Sequence, residues 1–250
     1  MARRFTLPAL ANTVPRFPVT LTTVMQRASV PDQFAKGGNG HIMMSNRTAA
    51  ISGILFAVLY TAGIFMTAGQ NITLSDDDAT VLAAWENANT GVTIAGAYIF
   101  AASVLAFALF LSHLRARCVA RERASELAHT GFLLGVVAIV VMLTGFQGDV
   151  ALWVASTFNG DFDPTADTIR AMASLGFSVV VVVGAPTMAL AVGLLSWEMR
   201  TVLAPWVGWL GLVCAFALLF AVFRFPLMAL PIWTIGTSIA LLRSKEPAPA

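Results

Sequence analysis

The chain has 250 residues, 58% of them hydrophobic and 11% charged, where a soluble domain carries about 25% charged residues. So few polar groups cannot cover a water-soluble fold of this size, which excludes a soluble globular protein and predicts an integral membrane protein. The formal net charge of +2 says little as a total; its placement along the chain is what informs.

Residues 1–43 set Arg3, Arg4, Arg16, Arg27 and Lys36 against one acid, Asp32, with Pro8, Pro15, Pro18 and Pro31 between them. No apolar run there is long enough for a signal-peptide core. The segment reads as a disordered basic cytoplasmic tail, or as a start assigned too early. Met43 and Met44 stand just before the first span, and the codons of Lys36-Gly37-Gly38 can spell a ribosome-binding run. A basic, acid-poor transit peptide is the lesser reading.

From residue 44 to 243 the pattern predicts six transmembrane helices. The first span, 49–68, follows Arg47 and has the length a ~30 Å hydrocarbon core requires. Ser75 with Asp76, Asp77 and Asp78 predicts a capped helix start, carboxylates facing the positive end of the dipole. Val81, Leu82, Trp85 and Ala88 then share a face, predicting a short amphipathic helix on the outer membrane surface. A calcium site at the aspartates is the weaker reading, since adjacent helical residues point apart.

The second span, 91–111, leads into the basic stretch His113–His129, which holds Arg115, Arg117, Arg121 and Arg123. Arginine beside a span is retained on the cytoplasmic side, so these four are the expected determinants of topology. Glu122 and Glu126 interleave with them in a short helical connection. The third span, 130–149, opens on Gly131-x-x-x-Gly135, a spacing that lets helices approach closely, and places Asp149 at its outer boundary.

The turn cluster Asn159–Pro164 follows. Asp163 as cap and Pro164 at the first helical position predict a helix that runs unbroken into the fourth span, 171–195. Gly184-Ala185-Pro186 should kink it. Glu198 and Arg200 form an inner link. Pro205, Trp206 and Trp209 open the fifth span, 206–223, with indoles at head-group level. Arg224-Phe225-Pro226 is an outer turn, and the last span, 227–242, carries Pro231. Residues 244–250 form a short cytoplasmic tail. On this threading thirteen of the fifteen Lys and Arg lie inside, with Arg170 and Arg224 outside, and eight of the thirteen acids lie outside. The fold expected is all-α, a polytopic bundle of six transmembrane helices with both termini cytoplasmic.

Reactive groups are scarce along the spans. His41, His113 and His129 all fall near the cytoplasmic face, so paired haem ligands within spans are missing from the pattern. Gly176-Phe177-Ser178 resembles a serine-protease GxS, but no histidine follows to act as base. Cys118 and Cys214 lie far apart and supply neither a CxxC pair nor a disulfide framework. A midplane Asp, Glu or Lys of the kind a proton-coupled carrier uses is also lacking. No catalytic, metal-binding or cofactor-binding residue is assigned, and no cofactor is expected. The polar set that remains is an outer-leaflet one: Gln70, Asn71, Gln147, Asp149, Arg170 and Arg224, with Tyr60, Tyr98 and Trp153 as aromatic neighbours of a pocket. The first reading is that these groups simply sit among wet head groups; the functional alternative pairs Asp149 with Arg170 or Arg224 across the mouth of a shallow outward-facing pocket.

Trp85-Glu-Asn-Ala-Asn-Thr-Gly-Val, Phe110-Leu-Ser-His-Leu-Arg-Ala-Arg and Leu203-Ala-Pro-Trp-Val-Gly-Trp-Leu-Gly-Leu resemble uncharacterised six-helix membrane proteins common in actinobacteria. The likeness spans roughly Met44 to Arg243. It implies the bacterial plasma (inner) membrane and carries no activity or catalytic residue across. The function expected first is a non-enzymatic accessory or scaffold subunit that meets lipid or another membrane protein through small-residue faces such as Ala185/Ala189/Gly193 and Gly236/Ala240. The alternative is a carrier or binding protein for a small or lipid-like ligand at an outward-facing site. An enzyme is the least favoured reading, and no nucleic-acid partner is expected.

Overall fold

The computed structural model describes residues 45–67, 76–120, 126–159 and 162–244, and of Asp149 the backbone alone. The basic tail expected over 1–43 lies outside these residues, as do Gln70, Asn71, Arg121 and Arg123. Every described element is helical. In chain order they are α1 (Asn46–Thr67), α2 (Asp78–Asn87), α3 (Thr90–Val119), α4 (Glu126–Phe158) and α5 (Ala166–Ser178). A π-helical turn over Val179–Gly184 joins α5 to α6 (Ala185–Val202). Then come α7 (Pro205–Leu218), two 3-10 turns (Ala221–Phe223, Phe225–Met228) and α8 (Ala229–Arg243).

Among the described residues, five helical runs are long and apolar enough to cross a membrane: Asn46–Thr67, Thr90–Val119, Glu126–Gly148, Ala166–Val202 and Phe225–Arg243. The fifth predicted span, 206–223, is shorter than expected. Helix α7 has 14 residues, about 21 Å against a ~30 Å core. Pro226 offers no amide and disfavours α geometry at the residue before it, so the reversal is built from 3-10 turns around Arg224.

Helix ends also depart from the predicted signals. The cap of α2 is Asp77, whose carboxylate accepts the Thr80 amide at 2.7 Å. The cap of α5 is Thr165 rather than Asp163, its hydroxyl accepting the Thr168 amide at 3.3 Å. Both are short polar residues two positions further along the chain than the first cap-like residue. Arg115 and Arg117 belong to α3, which runs well past the predicted 111, and not to a loop. Helix α4 likewise continues past 149 to Phe158. Around Pro186 the expected kink is a widened turn: the Ala185 amide donates to the Val180 carbonyl, five residues back. This register absorbs the hydrogen bond that proline cannot make.

Helix α1 packs on α3 and α8, α4 on α3 and α6, and α7 bridges α6 and α8. In lipid there is no hydrophobic drive between helices, so close packing and buried hydrogen bonds must hold them. An aromatic seam supplies the first: Phe56 meets Phe107 at 4.4 Å, Tyr60 meets Phe100 at 5.4 Å, and Phe110 meets Trp233 edge-on at 5.9 Å. Gly131 lets α6 approach closely, and Gly135 does the same for α3. A Cβ on Gly131 would lie 3.0 Å from Leu195, and one on Gly135 would lie 2.7 Å from Leu111. For the second, the Trp233 indole donates to Ser196 Oγ at 3.0 Å, with both residues fully buried between α8 and α6.

At the arginine-rich end the bundle closes on a buried polar knot. Arg117 Nη1 donates to Asn46 Oδ1 at 2.9 Å, and His113 Nε2 lies 3.2 Å from the same oxygen. Asn46 Nδ2 in turn donates to Ser244 Oγ at 3.3 Å. The start of α1, the end of α3 and the end of α8 are thereby tied together. Arg115 is half-buried, over the Phe132 ring at 5.2 Å and 3.0 Å from His129 Nε2.

Candidate functional site: an apolar cavity at the acidic end

The opposite end carries the acids Asp76, Asp77, Asp78, Glu86, Asp163 and Asp167. Here α2 does not lie apart on a surface. It docks against α4 and α5, where Val81, Leu152, Ala166 and Ile169 form a small second core with Leu82, Ala84, Trp85 and Met172 around it. Trp85 stacks on Trp153 with ring centroids 3.6 Å apart and planes 18° apart. Amphipathic patterning is the same for a helix on lipid and a helix on a protein face, and here the protein face takes it.

Arg170 locks this cap. Its guanidinium donates to Asp78 Oδ1 at 2.5 Å, Asp167 Oδ1 at 2.9 Å and the Asp76 carbonyl at 2.8 Å. The Arg170 side chain is 13% exposed, so these bonds replace most of its hydration. The Asp149 side chain lies outside the description; the described partners come from the turn before α2, from α2 and from α5 itself. Hydrogen bonds from the Thr80 backbone and side chain hold the Asp77 carboxyl below its usual range, with the Arg170 charge adding a smaller pull the same way.

Beneath the cap lies a cavity of about 560 Å³, within the 300–1,000 Å³ of small-molecule sites. Its wall is built where the ends of the helices meet. Ile64 and Phe65 come from α1, Trp85 from α2, Phe146 and Trp153 from α4, Met172 and Phe177 from α5, and Phe223, Arg224 and Leu227 from the hairpin before α8. Along this wall α4 and α5 cross closely at glycine. A Cβ on Gly145 would lie 2.6 Å from Val180 and 2.8 Å from the Gly176 carbonyl. The described lining is apolar apart from two threonines, the indoles and Arg224. Thr67 and Thr93 hydroxyls donate to carbonyls of their own helices.

Arg224 stands over the Phe177 ring at 4.9 Å. Its backbone has φ 61° and ψ −48°, a region that L side chains rarely adopt.

Of the pocket residues named from sequence, Trp153 and Arg224 line the cavity. Tyr60 does not: it is fully buried in the aromatic seam, and its hydroxyl has no partner among the described residues. Tyr98 does not either, being 75% exposed on the outside of α3. Gln147 is exposed, and the Asp149 side chain lies outside the description. Helix phase decides these cases, and an apolar helix gives no phase in its sequence. The residues missed, Phe146, Met172, Phe177 and Phe223, are ordinary span residues with no local signal. The chain matches no protein-family model, no curated protein and no solved structure.

Proposed function

We propose that this chain is a six-span protein of the bacterial plasma membrane, both ends cytoplasmic, that binds a lipid-like or small apolar ligand in an outward-facing cavity. The cavity of about 560 Å³ with its aromatic lining carries the reading. Its orientation is supported by the charge separation: Arg47, Arg115, Arg117, Arg200 and Arg243 gather at one end, and Asp76, Asp77, Asp78, Glu86, Asp163 and Asp167 at the other. The short α7 counts as the fifth crossing, since the hairpin after it extends the reach of the helix.

Binding rather than turnover fits the lining. The ionisable group among its described residues is an arginine, which stays protonated and cannot serve as base or nucleophile. The scaffold reading loses its main support, because the small-residue faces are taken up inside the chain. Gly193 faces Ala215 of α7, and Gly236 faces Leu210.

The test is native mass spectrometry of the full chain purified in mild detergent. One lipid-sized adduct per chain is expected, lost in Ala173→Trp, which fills the cavity. An adduct indifferent to that substitution, or a stoichiometric protein in its place, would count against the reading.

A further inference from the structure

Resting on that reading, we infer that the cavity takes the hydrocarbon tail of an outer-leaflet lipid. The tail rises out of the membrane between the end of α1 and the hairpin, while the head group stays outside. Distance along the helices gives the cavity its height. Phe146 and Trp153 lie about 30 Å and about 40 Å along α4 from Glu126, at 1.5 Å per residue. On the continuous run Ala166–Val202, Phe177 and Met172 lie about 35 Å and about 42 Å from Arg200. A ~30 Å core that begins at the inner ends of these helices leaves all four residues at or above its outer edge.

Helix α1 marks that edge. It packs antiparallel to α8: Asn46 bonds Ser244, and a Cβ on Gly53 would meet Ser238. Carried on, this register sets Phe65, about 28 Å along α1 from Asn46, beside the hairpin. Here the cavity opens. Phe65, Phe223 and Phe225 line it yet are 70%, 69% and 87% exposed. Bare phenyl rings at the edge of the hydrocarbon belong in lipid and not in water. On the far side Leu152, Trp153 and Ile169 are buried beneath α2, which Arg170 clamps. The mouth therefore faces the membrane.

The lining then favours shape over polarity. The Thr67 and Thr93 hydroxyls already donate to carbonyls of their own helices, and Arg224 lies on the Phe177 ring. Phe146, Met172 and Phe177 offer an apolar surface, and methionine adapts to a flexible chain. A tail that rises from the leaflet into this space keeps apolar surroundings along its length, which water in the same space would not have.

The experiment places the full chain in vesicles of phosphatidylcholine brominated at the tail ends and compares its tryptophan emission with that of Trp85→Phe/Trp153→Phe. In an undisturbed leaflet the tail ends lie at mid-bilayer, about 25 Å below Trp153, and bromine quenches only near contact. The emission of this pair should be largely lost, equally so in phosphatidylglycerol brominated the same way, and Ala173→Phe should restore it. Trp153→Phe alone serves the comparison if the double variant does not fold. Quenching that persists in Ala173→Phe, or that phosphatidylglycerol alone produces, would overturn the tail assignment. So would emission untouched by tail bromine. The cavity reading then stands if 1-bromonaphthalene, added in detergent, quenches the pair saturably in the wild type and not in Ala173→Phe. No quenching by either probe would sink both.

Discussion

Buried polar atoms that meet one another reinforce the apolar packing of this bundle. Ser196 shows the effect most cleanly, because its hydroxyl is the acceptor for a buried indole N–H. Ser196→Ala removes the acceptor and leaves that N–H unsatisfied, which costs about 1–2 kcal/mol of stability. Trp233→Phe in the Ser196→Ala background should cost less than the two changes summed, since the orphaned donor is gone. Thermal unfolding in detergent of the two single variants and the double variant measures this, and strict additivity would show that the bond contributes nothing. The same residues explain what the sequence could show. Arg117 was legible as a basic residue beside a span, but not as the centre of a buried knot with Asn46 and His113. Those partners sit 71 and 4 positions away, and only folding brings the first of them near.

Among the elements, α2 is the one held most by electrostatics. It is ten residues long, too short to be stable alone, and depends on its cap, its Arg170 clamp and the Trp85–Trp153 stack. The Asp77 carboxyl titrates below its ordinary range in the folded chain. A lowered folded value means the cap's contribution is fully present above the range where an unfolded aspartate titrates, and is lost as pH falls through the folded value. Helix α2 should therefore fray on the acid side, below about pH 4, while α3 and α4 persist. Hydrogen exchange of the α2 amides across pH reports it, with Asp77→Asn as control: that variant should show a flatter acid profile. An α2 equally protected at pH 3 and pH 7 would contradict the assignment. The helix was legible from its acidic start and its apolar face. Its docking partner was not, because a sequence cannot distinguish a lipid surface from the flank of α5.

For the molecule as a whole, the expected outcome concerns threading. Alkaline phosphatase fused after Arg243 should be inactive and a fluorescent protein there should be bright, as a cytoplasmic C-terminus requires. Phosphatase fused after Asn87, in the acidic end, should be active. Active phosphatase at both sites would mean an even number of crossings between them, as when the short α7 fails to cross and α8 alone does.

Composition and arginine placement alone determined that the protein is helical, membrane-embedded and polar at its two ends. Those properties follow from the cost of charge and of unpaired backbone in hydrocarbon, which every residue meets regardless of its neighbours. Tertiary structure alone decided where the cavity lies and which side chains line it. That depends on helix phase and on the crossing of α4 with α5 at Gly145 and Gly176. In lipid an apolar side chain is at home on either face of a helix, so nothing in the order of Phe, Leu and Val records which way each one turns.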